Sequence, residues 1–556
     1  MKIEQVTIHN FRSIVDLALK LEDYSLLIGA NNSGKTNIID AIRIFYEKDI
    51  KFNKNKDIPK ASPYISESWI EIKYKLSPDE FDMLKEDYKA EIDTLRVRKY
   101  LYSETEPQKV KANQSNIYAY EKDGALSKNL FYGAKSVAEG KLGNVLFVPE
   151  LSKVDEYTKL SGPSTLRDIL EFVFARVLKR SESFKQLSSA FDEFNLRFGE
   201  EKGGGGYSIK KLQDQINKEI ETWNATFGFS INTIRAEDII KTLLKHYLRD
   251  ENIPGADMDL GSFGQGMQRH LIYVLIKLSA TYREDVEPND KKEFRPDFTL
   301  ILFEEPEAFL HPAQQETLNM SLREVSKGSS EQVLITTHSS HLVSKNISGI
   351  TSMIKLRKEG PMTLGSQLRQ PELDELLKVN TELKTILGEP EGEKDLDYES
   401  FWYSLYMDPD RCCSFFADRV LICEGACEKL LIDQLITEKK WIPKVQRLYI
   451  LQSAGKENLH RYMNLFEKMG IDHSVMFDGD SDKDRHGKIN AFINSKKNPF
   501  TRELYQFESN LENFLEIAEE SKRWRKPLNV LWHYRNGKIG IDRMEKYIKI
   551  LDSLAN

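Results

Sequence analysis

Apolar and polar residues alternate over short stretches near the start of the chain, which predicts β-strands. Within residues 1–28 the segments "KIEQVTIHNF", "VDLALKL" and "SLLIG" show this pattern. The period then changes, because apolar residues in "TNIIDAIRIF" recur at the helical positions Ile38, Ile39, Ile42 and Phe45. Strand patterns return at "WIEIKYKL" and "NVLFVP". This mixture predicts an α/β fold.

The middle and end of the chain alternate between helical and strand-like patterns. Residues 164–250 are helix-rich and charged, and Gly203–Gly206 form a predicted flexible loop inside them. A helix at "HLIYVLIKL" precedes the buried strands "FTLILF" and "EQVLITT". Residues 366–410 are predicted to be irregular and to act as a linker. A new strand–helix alternation begins at "RVLICEG" and continues through "HSVMFDGD".

The composition suits a globular protein of several domains. The chain has 556 residues, of which 40% are hydrophobic and 30% charged. We expect no transmembrane helix and no signal peptide. The four cysteines form no disulfide framework, and a cytoplasmic location fits them. Cys423 and Cys427 lack the further ligands of a zinc site.

Net charge is −7, so nucleic-acid binding would depend on local basic patches. One patch lies between Lys48 and Lys60, and the other is "SKRWRKP", in which Lys522, Arg523, Arg525 and Lys526 surround Trp524. Cations neutralise phosphates and an aromatic ring can stack on a base. Each patch alone is equally compatible with an ordinary solvated surface.

The segment "GANNSGKTN" lies between a predicted strand and a predicted helix. Gly29, Gly34, Lys35 and Thr36 fill the pattern GxxxxGK[ST], and Asn32 lies within the loop. In such a loop the backbone amides surround phosphates, the lysine reaches the outer phosphates and the hydroxyl binds magnesium. The sequence therefore predicts an ATP site.

Three later segments would complete this site. In "LILFEEPEAFLHP" an apolar strand ends in Glu304, which would bind magnesium, and Glu305, which would activate water. "VLITTHSSHL" places His338 at another strand end, where it could sense the terminal phosphate. The loop "GSFGQGMQRH" leaves amides free before a helix, and would act from a second subunit. Its candidate phosphate contacts are Ser262, Gly264 and Gln265.

These four segments, in this order, resemble the ABC-type ATPases related to the SMC, Rad50 and RecF proteins, and "HNFRS" is similar to that group's opening. The resemblance implies that ATP is held between two heads, and hence a homodimer. Glu304 stands where the group mostly has aspartate. The loop lacks a plain LSGGQ, which leaves open whether Ser262 or Gln265 takes the role of the serine. A long coiled coil is missing, which argues against an SMC or Rad50 arm.

A second set of acids follows in the last third of the chain. The strand "RVLIC" ends in Glu424, and Glu428 comes four residues later on a predicted helix. About fifty residues on, "HSVMF" ends in Asp478 and Asp480. Carboxylates at such strand ends can converge on magnesium or manganese, which prefer oxygen ligands. The alternative is an exposed acidic turn.

EGxxE followed by DxD resembles the Toprim domain of topoisomerases, primases, recombination proteins and OLD-family nucleases. "LQSAGKENL" is similar to the intervening strand and Gly-Lys loop of that family. Glu512 matches the later acidic motif of the OLD group and Lys538 its late catalytic lysine, whereas Asn510 stands where some relatives carry aspartate. An ABC-type ATPase followed by a Toprim domain resembles the OLD (overcoming lysogenisation defect) nucleases. This class includes the nuclease subunit of the Gabija antiphage system and nuclease effectors of some retrons.

The resemblance implies an ATP-regulated, divalent-metal-dependent DNA endonuclease of bacterial antiphage defence. ATP and Mg²⁺ or Mn²⁺ are the implied cofactors. The implied partners are DNA, a second copy of the chain, and a helicase or a retron reverse transcriptase with its nucleic acid. Lys538 would offset charge on the reacting phosphate, and catalysis would rest on Glu424, Asp478, Asp480 and Glu512. The implied metal ligands are Glu424, Glu428, Asp478, Asp480 and Glu512 in the Toprim domain, and Thr36 and Glu304 in the ATPase.

Three other functions compete with this one. The first is a RecF/SMC-like DNA-repair clamp whose Toprim domain binds DNA without cutting. The second is a topoisomerase or primase-like activity, for which the sequence shows neither a DNA-breaking tyrosine domain nor zinc features. The third is a structural partner of a toxin or reverse transcriptase.

The predicted domains follow from these motifs. We expect an ATPase N-terminal lobe, a helical insertion that is a candidate dimerisation region, an ATPase C-terminal lobe, a linker, and a Toprim nuclease domain with a C-terminal extension. Their respective ranges are 1–163, 164–250, 251–365, 366–415 and 416–556.

Overall fold

The structure is a computed structural model, and its contacts divide the chain into two compact units, residues 1–150 with 289–556 and residues 151–288. The predicted domain limits stay predictions. The residues that the structure describes are 1–60, 65–137, 141–150, 154–160, 164–198, 206–223, 225–229, 239, 242, 244–249, 257–284, 294, 296, 298–328, 330–344, 347–390, 392–480 and 484–555.

The strands and helices of the described residues follow in chain order. The strands are β1 Lys2–Phe11, β2 Ile14–Lys20, β3 Tyr24–Gly29, β4 Glu67–Lys75, β5 Thr94–Ser103, β6 Ile117–Ala119, β7 Asn144–Val148, β8 Thr299–Glu304, β9 Glu331–Thr337, β10 Met353–Glu359, β11 Met362–Gln367, β12 Arg419–Cys423, β13 Leu448–Gln452, β14 His473–Phe477 and β15 Thr501–Gln506. The helices are α1 Lys35–Phe45, α2 Lys54–Asp57, α3 Pro78–Met83, α4 Val154–Thr158, α5 Thr165–Arg180, α6 Glu182–Phe198, α7 Ile209–Glu219, α8 Gln265–Glu284, α9 Pro312–Ser326, α10 Ser340–Ser344, α11 Gln370–Leu387, α12 Asp395–Tyr406, α13 Pro409–Cys412, α14 Ala426–Thr437, α15 Leu459–Lys468, α16 Asp484–Ser495, α17 Leu511–Phe514, α18 Lys526–Arg535 and α19 Ile541–Ala555.

Two sheets share a core around α1 in the first unit. One is antiparallel, with the order β2-β1-β4-β5-β6. The other has the order β11-β10-β3-β9-β8-β7 and is parallel from β10 to β7. Ile38, Ile42 and Phe45 on α1 are buried in this core, as their helical spacing predicts. Because β3 is buried on both faces, it presents the loop after it from a rigid base.

A third sheet lies in the C-terminal part of the same unit. Its four strands are all parallel and have the order β13-β12-β14-β15. A separate core lies between this sheet, α14 and α19, and it contains Leu421, Leu431 and Tyr547. Since β12 and β14 are neighbours, their carboxyl ends meet at one edge, which is where ligands bind in open α/β sheets.

The second unit is helical in its described residues. α4, α5 and α8 contact one another, and α6 and α7 carry exposed charged faces. Gly203–Gly205 of the predicted flexible loop lie outside the described residues.

The prediction that residues 366–410 are irregular was wrong. This segment contains α11 and α12, and Gly388 ends α11 with a left-handed φ of 74°. Glu399 on α12 forms an ion pair of 2.5 Å with Arg461 on α15, and Asn380 on α11 accepts a hydrogen bond from Asn464. Charged residues dominate the sequence of both helices, so the apolar side that packs on α15 was not recognised from the sequence.

No described helix is both long enough and apolar enough to cross a bilayer.

Candidate functional site

The loop after β3 has the geometry of a phosphate-binding loop. Gly34 adopts φ 105°, and a Cβ there would lie 2.3 Å from the Thr363 hydroxyl oxygen, so only glycine fits. Lys35 begins α1, and its Nζ donates to the carbonyl oxygens of Gly29 at 3.0 Å and Ala30 at 3.1 Å. Burial lowers the pKa of Lys35 to about 8.

The structure brings Thr36 and Glu304 together. The Thr36 hydroxyl donates to Glu304 Oε1 at 3.0 Å. Glu304 ends β8, which is separated from β3 by β9. The parallel arrangement places all three strand ends at one edge, so a hydroxyl and a carboxylate meet where magnesium would bind the phosphates.

Glu305 and His338 also meet at this edge. His338 Nε2 lies 3.4 Å from Glu305 Oε1. Burial, and then the charges of Glu150 and Glu307, raise the pKa of Glu305. Burial, and then the charge of Lys35, lower the pKa of His338 to about 4. The imidazole is therefore neutral near pH 7, so this contact joins a carboxylate to a neutral ring.

Glu307 is a residue that the sequence analysis missed. It is half-buried, and its Oε1 accepts hydrogen bonds from the Thr337 hydroxyl and the His338 amide, both at 2.7 Å, and from the Ser339 amide at 3.1 Å. These bonds hold the loop that carries His338. The available signal was a third acid in "FEEPEAF", but its partners lie thirty residues away in sequence.

These groups surround an open cavity of about 570 Å³. It is lined by Asn31, Asn32, Gly34, Lys35, Thr36, Asn37, Glu150, Glu305 and His338. Asn32 adopts a left-handed φ of 64° within the loop. The volume of the cavity, the lysine Lys35 and the Thr36–Glu304 pair together fit a magnesium-bound nucleoside triphosphate.

The glycine loop before α8 belongs to the second unit. Ser262, Gly264 and Gln265 are exposed, and Gln268 Nε2 donates to the carbonyl oxygens of Gly261 at 3.2 Å and Phe263 at 2.6 Å. The loop is thus ordered by α8 while its predicted phosphate contacts face outward. Their role towards a second subunit stays a prediction.

The second set of acids forms a cluster at the edge of the third sheet. Glu424, Asp478 and Asp480 each offer an oxygen, and these oxygens lie within 4.8 Å of one another. Glu424 Oε2 also accepts a hydrogen bond of 3.1 Å from the Asp478 amide. A Cβ at Gly479 would lie 2.4 Å from the Phe507 carbonyl oxygen, so glycine is required between the two aspartates. We call Glu424, Asp478 and Asp480, with Glu428 and Glu512 beside them, the carboxylate centre.

Glu428 and Glu512 are both buried at this centre. Glu428 Oε2 accepts a 3.0 Å hydrogen bond from the Gly425 amide, which closes the turn into α14. Glu512 Oε1 is buried and has no hydrogen-bond partner among the described residues. Burial, and then the neighbouring carboxylates, raise the pKa of Asp478 and of Glu428. An all-oxygen set of mutually repelling carboxylates with an unsatisfied oxygen fits a divalent metal ion.

Two lysines approach the carboxylate centre. Lys456 is buried, and its Nζ lies 3.1 Å from Asp480 Oδ2. Lys526 Nζ lies 3.8 Å from Glu512 Oε1. Lys538 is exposed, and no hydrogen bond or ion pair connects its side chain to the centre in the described part of the chain. The catalytic role of Lys538 stays a prediction, and Lys526, which the sequence analysis named only as part of a basic patch, is a second candidate.

Asn510 acts as a helix cap. Its Oδ1 accepts from the Asn513 amide at 2.8 Å and its Nδ2 donates to Glu519 at 2.8 Å. Both ends of the amide are thus occupied at the start of α17, the short helix that carries Glu512.

Side chains and backbone connect the nucleotide site to the carboxylate centre. The rings of His338 and Phe416 lie 6.1 Å apart, and α10 packs against α13. Arg411 on α13 donates to the Gln452 carbonyl oxygen at 3.1 Å. Just after Gln452, the Ser453 hydroxyl and the Gly455 amide both donate to the Glu424 carbonyl oxygen at 3.0 Å.

Comparisons with known sequence families match two separate parts of the chain. The profile of the AAA ATPase domain matches residues 1–156 and 161–343, which is more than half of the chain. The profile of the overcoming lysogenization defect protein-like TOPRIM domain matches residues 415–480. These matches confirm the predicted fold class, a P-loop ATPase head followed by a Toprim domain.

Two named relatives are similar over most of the chain. Old nuclease of Escherichia phage P2 is 24% identical over 493 residues, covering 86% of this chain and 77% of the relative. Endonuclease GajA of Bacillus cereus strain VD045 is 24% identical over 513 residues, covering 88% and 77%. A solved SMC head bound to the C-winged helix domain of ScpA covers 66% of this chain and 99% of its own, with 14% identity and a TM-score of 0.39.

Proposed function

Because this chain belongs to the OLD (overcoming lysogenization defect) family of nucleases, with an ATPase domain followed by a Toprim domain, we propose that it cuts DNA in a divalent-metal-dependent reaction regulated by ATP. The observation that carries the proposal is the carboxylate centre at the edge of the third sheet. Its three closest members offer oxygens within 4.8 Å of one another. A buried Glu512 oxygen beside them has no hydrogen-bond partner among the described residues.

The residues of the centre have separate tasks in this proposal. Glu424, Asp478 and Asp480 would hold one divalent ion, and Glu428 and Glu512 would complete the sites. The metal ions, Mg²⁺ or Mn²⁺, would activate water and stabilise the leaving oxygen. Lys526 or Lys538 would offset negative charge on the reacting phosphate. Lys456, through its contact with Asp480, would orient that carboxylate.

The contacts between the two sites support regulation by ATP. The terminal phosphate would lie near His338, whose loop is held by Glu307 and whose ring faces Phe416. Phe416 lies three residues before β12, the strand that Glu424 directly follows. Phosphate binding that shifts the His338 loop would therefore move the base of the strand that carries the carboxylate centre. If the contact between the His338 loop and Phe416 has two states, ATP could either expose the carboxylate centre to DNA or cover it.

The relatives also support a biological role. An endonuclease named GajA and a phage nuclease named Old are both similar to this chain over most of its length. We propose that the chain acts in the cytoplasm in antiphage defence. It would pair through its ATPase heads with a second copy and work with a helicase or reverse transcriptase partner.

Cleavage of supercoiled plasmid with Mg²⁺ or Mn²⁺, with and without ATP, tests this function. Wild type, Lys35→Ala and Asp480→Ala are compared, with the exposed Asp484→Ala as the matched control. We expect nicking to be lost in Asp480→Ala, kept in Asp484→Ala, and altered in its ATP response in Lys35→Ala. Metal-dependent cutting that persists in Asp480→Ala would overturn the proposal. DNA binding without cutting by any variant would favour the repair clamp.

A further inference from the structure

We propose that the segment Lys522–Lys526 holds an unpaired nucleotide of the substrate, with its base stacked on Trp524, next to the scissile phosphate. We call this segment the basic strip. The inference rests on the proposed nuclease function and adds which form of DNA the site accepts. It starts from a sequence feature that composition alone left undecided between a nucleic-acid contact and a plain surface.

The basic strip borders the carboxylate centre. Lys526 begins α18, and its Nζ lies 3.8 Å from Glu512 Oε1. Consecutive Cα atoms are about 3.8 Å apart, so the backbone of Trp524 lies within about 8 Å of that of Lys526. The contact of Lys526 with Glu512 therefore places the strip beside the carboxylate centre, where it can meet a nucleotide that neighbours the reacting phosphate.

The strip contains several cations and one largely exposed aromatic ring. Trp524 has 66% of its surface exposed, and the Arg525 guanidinium lies 4.8 Å from the centre of its ring. Lys522, Arg523 and Arg525 form no ion pair with any described residue. Of the two acids before them, Glu519 accepts from Asn510, and Glu520 accepts from the Lys522 amide and attracts Arg525 and Lys522 without forming an ion pair with either. The cations are thus available to phosphates.

This arrangement selects an unpaired base. An exposed aromatic ring among cations is a common platform for single-stranded nucleic acid. The bases of an intact duplex are stacked inside it, so the indole could reach only phosphates and sugars there. A base released at a bubble, an end or a flipped position could stack on the ring. Stacking of this kind changes affinity by about fivefold to a hundredfold.

An exposed apolar pair on α18 provides the matched control. Leu528 and Trp532 lie four residues apart on α18, with 55% and 54% of their surfaces exposed. They stand on one face of the helix, further along the chain from Lys526. If Trp524 served a protein partner, it would extend this apolar face. If Trp524 instead binds DNA, substitution of Trp524 should weaken DNA binding and substitution of Trp532 should not.

The test measures DNA binding in Asp480→Asn protein, in which cutting is silenced. Fluorescence anisotropy compares a 30-mer single strand, a fully paired duplex and a duplex with a central bubble. We expect tighter binding of the bubble and the single strand than of the duplex. Adding Trp524→Ala should weaken binding of both unpaired probes at least fivefold and change duplex binding less than twofold. Trp524→Phe should retain most of the preference, and Trp532→Ala should leave all three affinities unchanged.

Direct stacking is read from 2-aminopurine placed in the bubble. Its fluorescence should be quenched by the Asp480→Asn protein and not after Trp524→Ala. Equal loss for paired and unpaired probes, or no loss, would overturn the inference. So would a change in oligomeric state on gel filtration with unchanged DNA affinities, because it would indicate a protein partner. These outcomes leave the nuclease proposal standing, since that proposal depends on whether Asp480→Ala abolishes plasmid cutting in protein with an intact Trp524.

Discussion

Thr36 donates a 3.0 Å hydrogen bond to Glu304, although 268 positions separate the two residues in the chain. Neither side chain binds anything strongly alone. Together they offer two of the six oxygen ligands that an octahedral magnesium ion takes, beside the lysine of the phosphate loop. The same edge of the sheet also carries Glu305 and His338, so residues of three strand ends lie where we expect one nucleotide to bind.

Removing the charge of Glu304 should weaken nucleotide binding only when magnesium is present. We expect Glu304→Gln to raise the Kd for Mg-ATP about tenfold, which is the usual cost of a lost charged ligand. In EDTA the two proteins should bind ATP within about twofold. Isothermal titration with and without Mg²⁺ measures this. The exposed Glu359→Gln is the control, and an equal loss in EDTA would mean that Glu304 supports the loop and not the metal.

Glu307→Gln should separate ATP hydrolysis from ATP binding. The carboxylate accepts three hydrogen bonds from the His338 loop, and a neutral amide would hold that loop less firmly. We expect kcat for ATP hydrolysis to fall about tenfold, with KM within about threefold. Steady-state phosphate release measures both constants. A rise in KM alone would contradict a positioning role for Glu307.

Phe416→Ala should uncouple the nuclease from the nucleotide. The ring faces His338 at 6.1 Å and lies just before β12. We expect plasmid cutting without ATP to stay within about twofold, while the change that ATP causes in wild type is lost. Tyr398→Ala, which removes an exposed ring from α12, serves as the control. An unchanged ATP effect would exclude the His338–Phe416 contact from regulation.

We expect substitutions of the two candidate lysines, Lys526 and Lys538, to have different effects on the cutting rate. Lys526 lies 3.8 Å from Glu512, and Lys538 has no described contact with the carboxylate centre. We expect Lys526→Ala to lower the cutting rate about a hundredfold, as loss of a charge at the reacting phosphate does. Lys538→Ala should stay within about threefold. Single-turnover cutting at saturating protein separates rate from binding, and the reverse ranking would restore the assignment made from the sequence.

Asp478→Asn should stabilise the metal-free protein. Burial and neighbouring carboxylates raise the pKa of Asp478, which means that its charged form is disfavoured in the folded state. The amide keeps an oxygen to accept the 3.1 Å hydrogen bond from the Leu511 amide. We expect Tm in EDTA to rise by a few degrees, while the rise that Mn²⁺ causes in wild type becomes smaller. An unchanged Tm in EDTA would show that the acids do not repel one another.

The sequence by itself determined the local parts of both sites. The apolar strand before Gly29, the helix after Lys35 and the acids after β8, β12 and β14 were all predicted, because periodicity and strand-end chemistry depend on neighbours in the chain. The EGxxE and DxD pair identified the carboxylate centre for the same reason. A resemblance to known families then joined these parts.

Only the tertiary structure decided which distant residues meet. The order of strands sets β9 between β3 and β8, and no local pattern encodes that order. Glu307 was missed because its partners are thirty residues away, and Lys526 because its contact with Glu512 depends on how α18 packs against α14. The helices of residues 370–406 were missed because their polar faces dominate the sequence, whereas the burial that defines them comes from α15.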